Sequence, residues 1–115
     1  MADFQVTAVE KYIRMSPRKV RLVCALVKGK QVDEALQILK LTSKAAAKAV
    51  TKAIQSAAAN AENNLALSRG DLYVAVIRAD KGPSLPPRFK AGARGRAKPI
   101  ERRTTHLTVS VEERA

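Results

Sequence analysis

The chain is 115 residues long, enough for one domain with a modest core and too short for two. It is 46% hydrophobic but only 3% aromatic, so its core has to be built from Ala, Val, Leu and Ile, and 22 Lys and Arg against 10 Asp and Glu leave a net charge of +12. Such a charge repels itself in a compact fold unless an anionic partner absorbs it; no segment approaches the roughly 18 consecutive apolar residues of a spanning helix, so nucleic acid is a better candidate than a membrane.

The start, MADFQVTAVEKY, carries acids early and no apolar signal-peptide core, which predicts that the chain stays where it is made, in the cytosol. Residues 3–13 alternate, with Phe4, Val6 and Ala8 on one side, and predict a strand with one buried face. A helix is expected over 17–28: Ser16 can cap it, Pro17 suits its first position and Gly29 can end it. Val20, Val23, Cys24 and Val27 share its apolar face, with Leu22 and Leu26 widening it. Cys24, the single cysteine, then reads as a small core residue.

QVDEALQILKL predicts a second helix, with Asp33 and Glu34 in the first turn where the dipole favours acids, and Val32, Leu36 and Leu39 spaced for burial. Thr42 and Ser43 break it and can cap a third, Ala-rich helix from Lys44 to about Leu67, whose inner face is Val50, Ile54, Ala57, Ala61 and Leu65. Lys44, Lys48 and Lys52, four apart, line a polar stripe on it. After a turn at Arg69, Gly70 and Asp71, LYVAVIRA alternates Leu72, Val74 and Val76 as a second strand. A last strand, TTHLTVSVE, turns Leu107, Val109 and Val111 one way and His106, Thr108 and Ser110 the other. The order β, three α, β, β predicts an α+β fold: three helices on a small three-stranded antiparallel sheet.

Between the last two strands lies a connection of roughly residues 80–103, too long for an ordinary hairpin loop. Residues 86–106 set Arg88, Lys90, Arg94, Arg96, Lys98, Arg102 and Arg103 against one acid, Glu101. If its arms continue the flanking strands, about ten residues at about 3.3 Å each project roughly 30 Å from the body. Pro83, Pro86, Pro87 and Pro99 remove amide donors, so pairing along the arms is expected to be patchy. The division is then a single domain, 1–115, with a body of 1–79 and 104–115 and an extended basic hairpin of 80–103.

Arg offers a planar fork matched to phosphate oxygens, which favours nucleic acid over a merely solubilising loop. Phe89 is the only ring in the arm, so recognition rests on phosphate, sugar and shape and not on base stacking. Arg14, Arg18, Lys19 and Arg21 surround the start of the first helix, where exposed amides also attract phosphate. His106 either meets an RNA backbone or lies idle on the polar strand face. With one Cys and one His no zinc site can be assembled, GARGRA matches neither phosphate-loop nor dinucleotide spacing, and nothing sets a nucleophile beside a base. No enzyme activity, metal or cofactor is expected. A DNA-associated architectural protein is the alternative, since these also use basic arms.

Four segments resemble the L twenty-two family of large-subunit ribosomal proteins in its bacterial form: SPRKVRLVCALVKGK at 16–30, SAAANAENN at 56–64, DKGPS at 80–84 and GRAKPIERRTTHLTV at 95–109. The resemblance implies an RNA-bound body outside the large subunit near the tunnel exit, and a hairpin threading ribosomal RNA so that its tip lines the nascent-peptide tunnel. It implies as partners large-subunit ribosomal RNA, neighbouring ribosomal proteins and the nascent polypeptide, for a protein that is a monomer within the ribosome. Carried over from the matching segment as RNA contacts are Arg94, Arg96, Lys98, Arg102, Arg103, Thr105 and His106. Ser16, Lys28, Lys30, Arg78, Lys81, Arg88 and Lys90 complete the candidate set with the basic residues of the first helix. At the tip, taken as Arg88, Phe89, Lys90, Ala91 and Gly92, the chain departs from the family: Ala91 and Gly92 stand where a proline and an arginine are usual.

Overall fold

The computed structural model describes residues 5–83, 85–91, 95 and 97–114, the stretches 85–91 and 97–102 by their backbone. In chain order the elements are β1 (Gln5–Ile13), α1 (Pro17–Val27), α2 (Val32–Leu41), α3 (Ala46–Leu65), a short 3-10 turn (Arg69–Asp71), β2 (Leu72–Lys81), β3 (Leu85–Ala91), β4 (Ala97–Arg102) and β5 (Thr105–Glu113). β1, β5 and β2 form an antiparallel sheet with β5 at its centre, and β3 pairs with β4 in a second, two-stranded sheet. The expected α+β fold of three helices on a three-stranded antiparallel sheet is present. No helix among the described residues is long and apolar enough to cross a membrane.

One face of the larger sheet is covered. α3 lies across β1 and β5, α1 packs on β2, and α2 fills the corner against α1 and α3. Leu107, Val109 and Val111 of β5 are fully buried beneath Val50 and Ile54 of α3 and Val20, Val23 and Val27 of α1 in one core cluster. Ala53, Ala57, Ala58 and Ala61 are buried too, and their small side chains let the 20-residue α3 come close to the sheet. The largest fully buried side chains are Ile54, Leu72 and Leu107, as the scarcity of aromatics requires.

Several details depart from the sequence expectations, each for a local reason. Val76, expected inside, is 39% exposed because the ladder shifts between Val74, opposite Val111, and Val76, opposite Ser110. The extra residue, Ala75, reverses the alternation, so Ile77 and Ala79 turn inward instead. Leu65 ends α3 beyond the covered part of the sheet and is 48% exposed, and Leu22 and Leu26 also face outward. Ser16 occupies the cap position of α1, but its side chain makes no capping bond. Thr42 donates its hydroxyl back to the Ile38 carbonyl at 2.8 Å and does not cap α3, whose cap position is Ala45.

α2 is capped instead by Gln31, whose Oε1 accepts from the amides of Asp33 (2.9 Å) and Glu34 (3.2 Å) while its Nε2 donates to the Arg69 carbonyl (3.1 Å). Leu36 is only half-buried, and Ala35 takes the inner position between Val32 and Leu39. Gly29 does end α1: at φ +77° it turns the chain so that its amide donates to the Val74 carbonyl at 2.9 Å. The Val74 amide donates in return to Lys30 at 2.9 Å, which covers part of an otherwise open sheet edge.

The core also holds Cys24, 5% exposed, with burial pushing its thiol up to about 11 from an ordinary 9.0. Ionisation therefore favours the unfolded chain. This group leaves stability unchanged below about pH 9 and lowers it as pH rises from there through about 11. Denaturant midpoints of the wild type are expected to fall more steeply over that window than those of Cys24→Ala, and parallel curves would show that the thiol ionises freely.

Candidate nucleic-acid interface

Two residues fasten the root of the hairpin. The β2–β5 ladder ends with Lys81 opposite Thr105, and the Gly82 amide then donates to the Thr104 carbonyl at 3.0 Å. Thr104 and Thr105 are both fully buried. The Thr104 hydroxyl donates to the Pro83 carbonyl across the root, and that of Thr105 donates to the Met15 carbonyl at 2.7 Å, in the segment leading into α1. The hydroxyl of Thr105, a candidate RNA contact, is thus bonded within the protein. Thr105→Val keeps the shape but leaves the Met15 carbonyl unpaired, and should cost about 1–3 kcal/mol of unfolding free energy in a urea titration.

Beyond the root, β3 and β4 pair with Leu85 opposite Arg102, Arg88 opposite Ile100, Phe89 opposite Pro99, Lys90 opposite Lys98 and Ala91 opposite Ala97. The register shifts between Leu85 and Arg88, across Pro86 and Pro87, which have no amide to give. The patchy pairing expected of the arms is therefore found. Lys90 and Lys98 occupy directly opposed positions, a like-charge arrangement unfavourable in water and relieved by an anion. Gly92, Arg94 and Arg96 lie outside the described residues. The molecule measures 64 × 25 × 19 Å, with a radius of gyration of 17.2 Å, against about 13 Å for a compact chain of about 100 residues.

At the root the fold gathers charges that are distant in sequence. Arg18 and Arg21, one turn apart on α1, meet Lys81 at the end of β2 and Arg103 before β5; with Pro17 they line a cleft of about 420 Å³. Arg21 is held by its Nε donating to the Ala79 carbonyl at 3.0 Å, which also ties α1 to β2. The first turn of α1 contains no acid, so the positive helix end adds to the same field. Four cations at one concave site can hold one or two phosphate groups.

The other candidates are placed differently. Arg14 is exposed in the bend before α1, and Ser16 is half-buried beside the cleft residue Pro17. Lys19 lines a separate hollow with Met15 and Leu22. Lys28 and Lys30 flank Gly29 at the far end of α1, away from the cleft. Arg78 projects from β2 and pairs with Asp80 at 2.9 Å. His106 is neither idle nor simply exposed: its Nδ1 accepts from the Tyr12 amide at 3.2 Å, and the two rings meet edge to face with centroids 5.0 Å apart. This contact holds the β1 irregularity at Tyr12, where φ is +59°. Sequence reasoning missed Gly82 and Thr104, whose roles come from contact across the hairpin root and leave no local pattern. Among the described residues no group of His, Cys, Asp and Glu is placed to hold a metal ion.

Comparison with known proteins places these features in one group. Residues 8–112 match the family described as Ribosomal protein L22p/L17e. The chain is 54% identical over 111 residues to a large ribosomal subunit protein uL22 of Clostridium novyi, covering 96% of this chain and 99% of that one. Identity to the protein of the same name is 49% in a Thermoanaerobacter species and 48% in Clostridioides difficile, each over 110 residues covering 96% of this chain and 98% of the relative. With the match running through the sheet, the helices and the basic hairpin alike, the chain belongs to the L22p/L17e family of ribosomal proteins.

Proposed function

We propose that this large-subunit ribosomal protein, which performs no chemistry, holds ribosomal RNA between the cleft at its hairpin root and the arms of the hairpin. On this reading the single domain divides into a body, 1–79 and 104–115, and a hairpin, 80–103, that RNA packs where protein does not. It works in the cytoplasm as a monomer within the ribosome, assists subunit assembly, touches neighbouring ribosomal proteins and lines the nascent-peptide tunnel with residues 88–92. The observation that carries it is the convergence of Arg18, Arg21, Lys81 and Arg103 on one concave site where two arms rich in Arg and Lys leave the body. Arg88 and Lys90 on β3 and Lys98 and Arg102 on β4 add further cations along the arms, and the sequence places Arg94 and Arg96 between these strands.

The test is incorporation. A chain with Arg94, Arg96, Arg102 and Arg103 changed to Gln, supplied as the sole copy, should be depleted from large subunits on a sucrose gradient after a high-salt wash, while its isolated body stays folded by circular dichroism. Normal incorporation would remove these arginines from the contact set, and co-migration of the wild type with the nucleoid would favour a DNA-associated role.

A further inference from the structure

The cleft at the hairpin root leaves one group of cations unused. Lys40, Lys44, Lys48 and Lys52 surround a second, open groove of about 600 Å³ at the corner between α2 and α3, floored by Leu39 and Ala47. Lys48 and Lys52 are one turn apart, about 6 Å along the helix axis, close to the spacing of successive phosphates on a nucleic-acid strand. Lys44 stands just before the helix, whose cap position is Ala45 and whose first turn has no acid, so the positive end of α3 adds to the field. Glu10 reaches one end of the groove and pairs there with Lys52 at 3.4 Å.

A smaller hollow of about 290 Å³ joins this groove to α1: Lys44 and Ala45 line both, and Lys19 and Leu22 form its other wall. Lys19 in turn follows Arg18, which lines the root cleft with Lys81 and Arg103. Concave surface thus runs from the start of α1 to the α2–α3 corner, and the root cleft opens beside it on the adjoining face of α1. We propose that Lys40, Lys44, Lys48 and Lys52 form an outer leg of the RNA-binding surface and bind the phosphate backbone of RNA. The inference rests on the RNA-binding reading and extends it to residues outside the hairpin and α1. Charge decides the partner: four lysines about one open groove, with the positive end of α3 beside them, match the repeated phosphates of a nucleic-acid backbone.

Two measurements on the full chain with purified bacterial large-subunit ribosomal RNA test it. Changing Lys40, Lys44, Lys48 and Lys52 to Gln should make the plot of log affinity against log salt shallower by about 3, at roughly 0.7 to 0.9 for each phosphate no longer neutralised. Amine acylation of the wild-type chain, read by mass spectrometry, should find these lysines protected on naked RNA. An unchanged slope, with an Arg18, Lys81 and Arg103 to Gln variant still shallower than wild type, overturns the outer leg and leaves the RNA reading standing. If neither variant alters the slope, the RNA reading fails as well. Protection in assembled subunits but not on naked RNA assigns the groove to a neighbouring protein and overturns the proposal. Should the lysine variant fold poorly, acylation of the wild type decides.

Discussion

Replacing Arg18, Lys81 and Arg103 together by Gln is expected to weaken binding to large-subunit ribosomal RNA most at low salt and to flatten its salt dependence by about 2 to 3, at roughly 0.7 to 0.9 for each phosphate left without its cation. Over a fourfold rise in salt the advantage of the wild type should then shrink roughly twenty- to fortyfold, since the salt ratio is raised to the power of the slope difference, about 2.1 to 2.7 for three cations. Arg21 is left in place deliberately. Its Nε donates to the Ala79 carbonyl and binds α1 to β2, so removing it would mix a folding defect with a charge effect. Filter binding across a salt series, with melting curves to show that the body is intact, measures the slope. Parallel lines for variant and wild type would mean that the cleft of about 420 Å³ does not hold phosphate.

The one-dimensional pattern announced the charges but not their meeting place. Arg18 and Arg103 each stood in a visible basic run, whereas their approach depends on β5 lying between β1 and β2, which brings the segment before β5 beside the start of α1. β5 itself was legible because it is central with one face covered: Leu107, Val109 and Val111 alternate strictly and are all fully buried. β2 was legible as a strand, but its inward face only as far as Val74, because the bulge at Ala75 arises in the pairing with β5 and not from residue preference. The setting of Thr105 was hidden for a related reason. A small polar residue after Arg102 and Arg103 looks solvent-facing, and only the fold shows the Met15 carbonyl waiting for its hydroxyl. Helix limits were legible to within two residues, but not the residues at the cap positions, Gln31 for α2 and Ala45 for α3.

Gly82→Val is expected to be the most damaging single substitution at the hairpin root. A Cβ there would sit 2.6 Å from the Thr104 Oγ1 and 3.2 Å from the His106 Cε1. Neither neighbour can yield without loss, since Thr104 is fully buried with its hydroxyl on the Pro83 carbonyl, and the His106 ring is held by the Tyr12 amide. Overpacking of this kind costs about 3 kcal/mol for a bulky side chain, a fall of about 15 °C in melting temperature for a chain of this size. The close approach can be isolated in a double-mutant cycle with Gly82→Ala and Thr104→Ala. Deleting Oγ1 removes the shortest contact, so Gly82→Ala should cost less in the Thr104→Ala background than alone, with a coupling of about 1 kcal/mol. Additive effects would show that the two residues do not press on each other. The consequence reaches function through geometry: Gly82 is the last residue before the arms diverge from the body, and a root forced open there would redirect the hairpin away from Arg18 and Arg21. The loss of RNA affinity caused by Gly82→Ala should then be larger in the wild-type background than in the Thr104→Ala background.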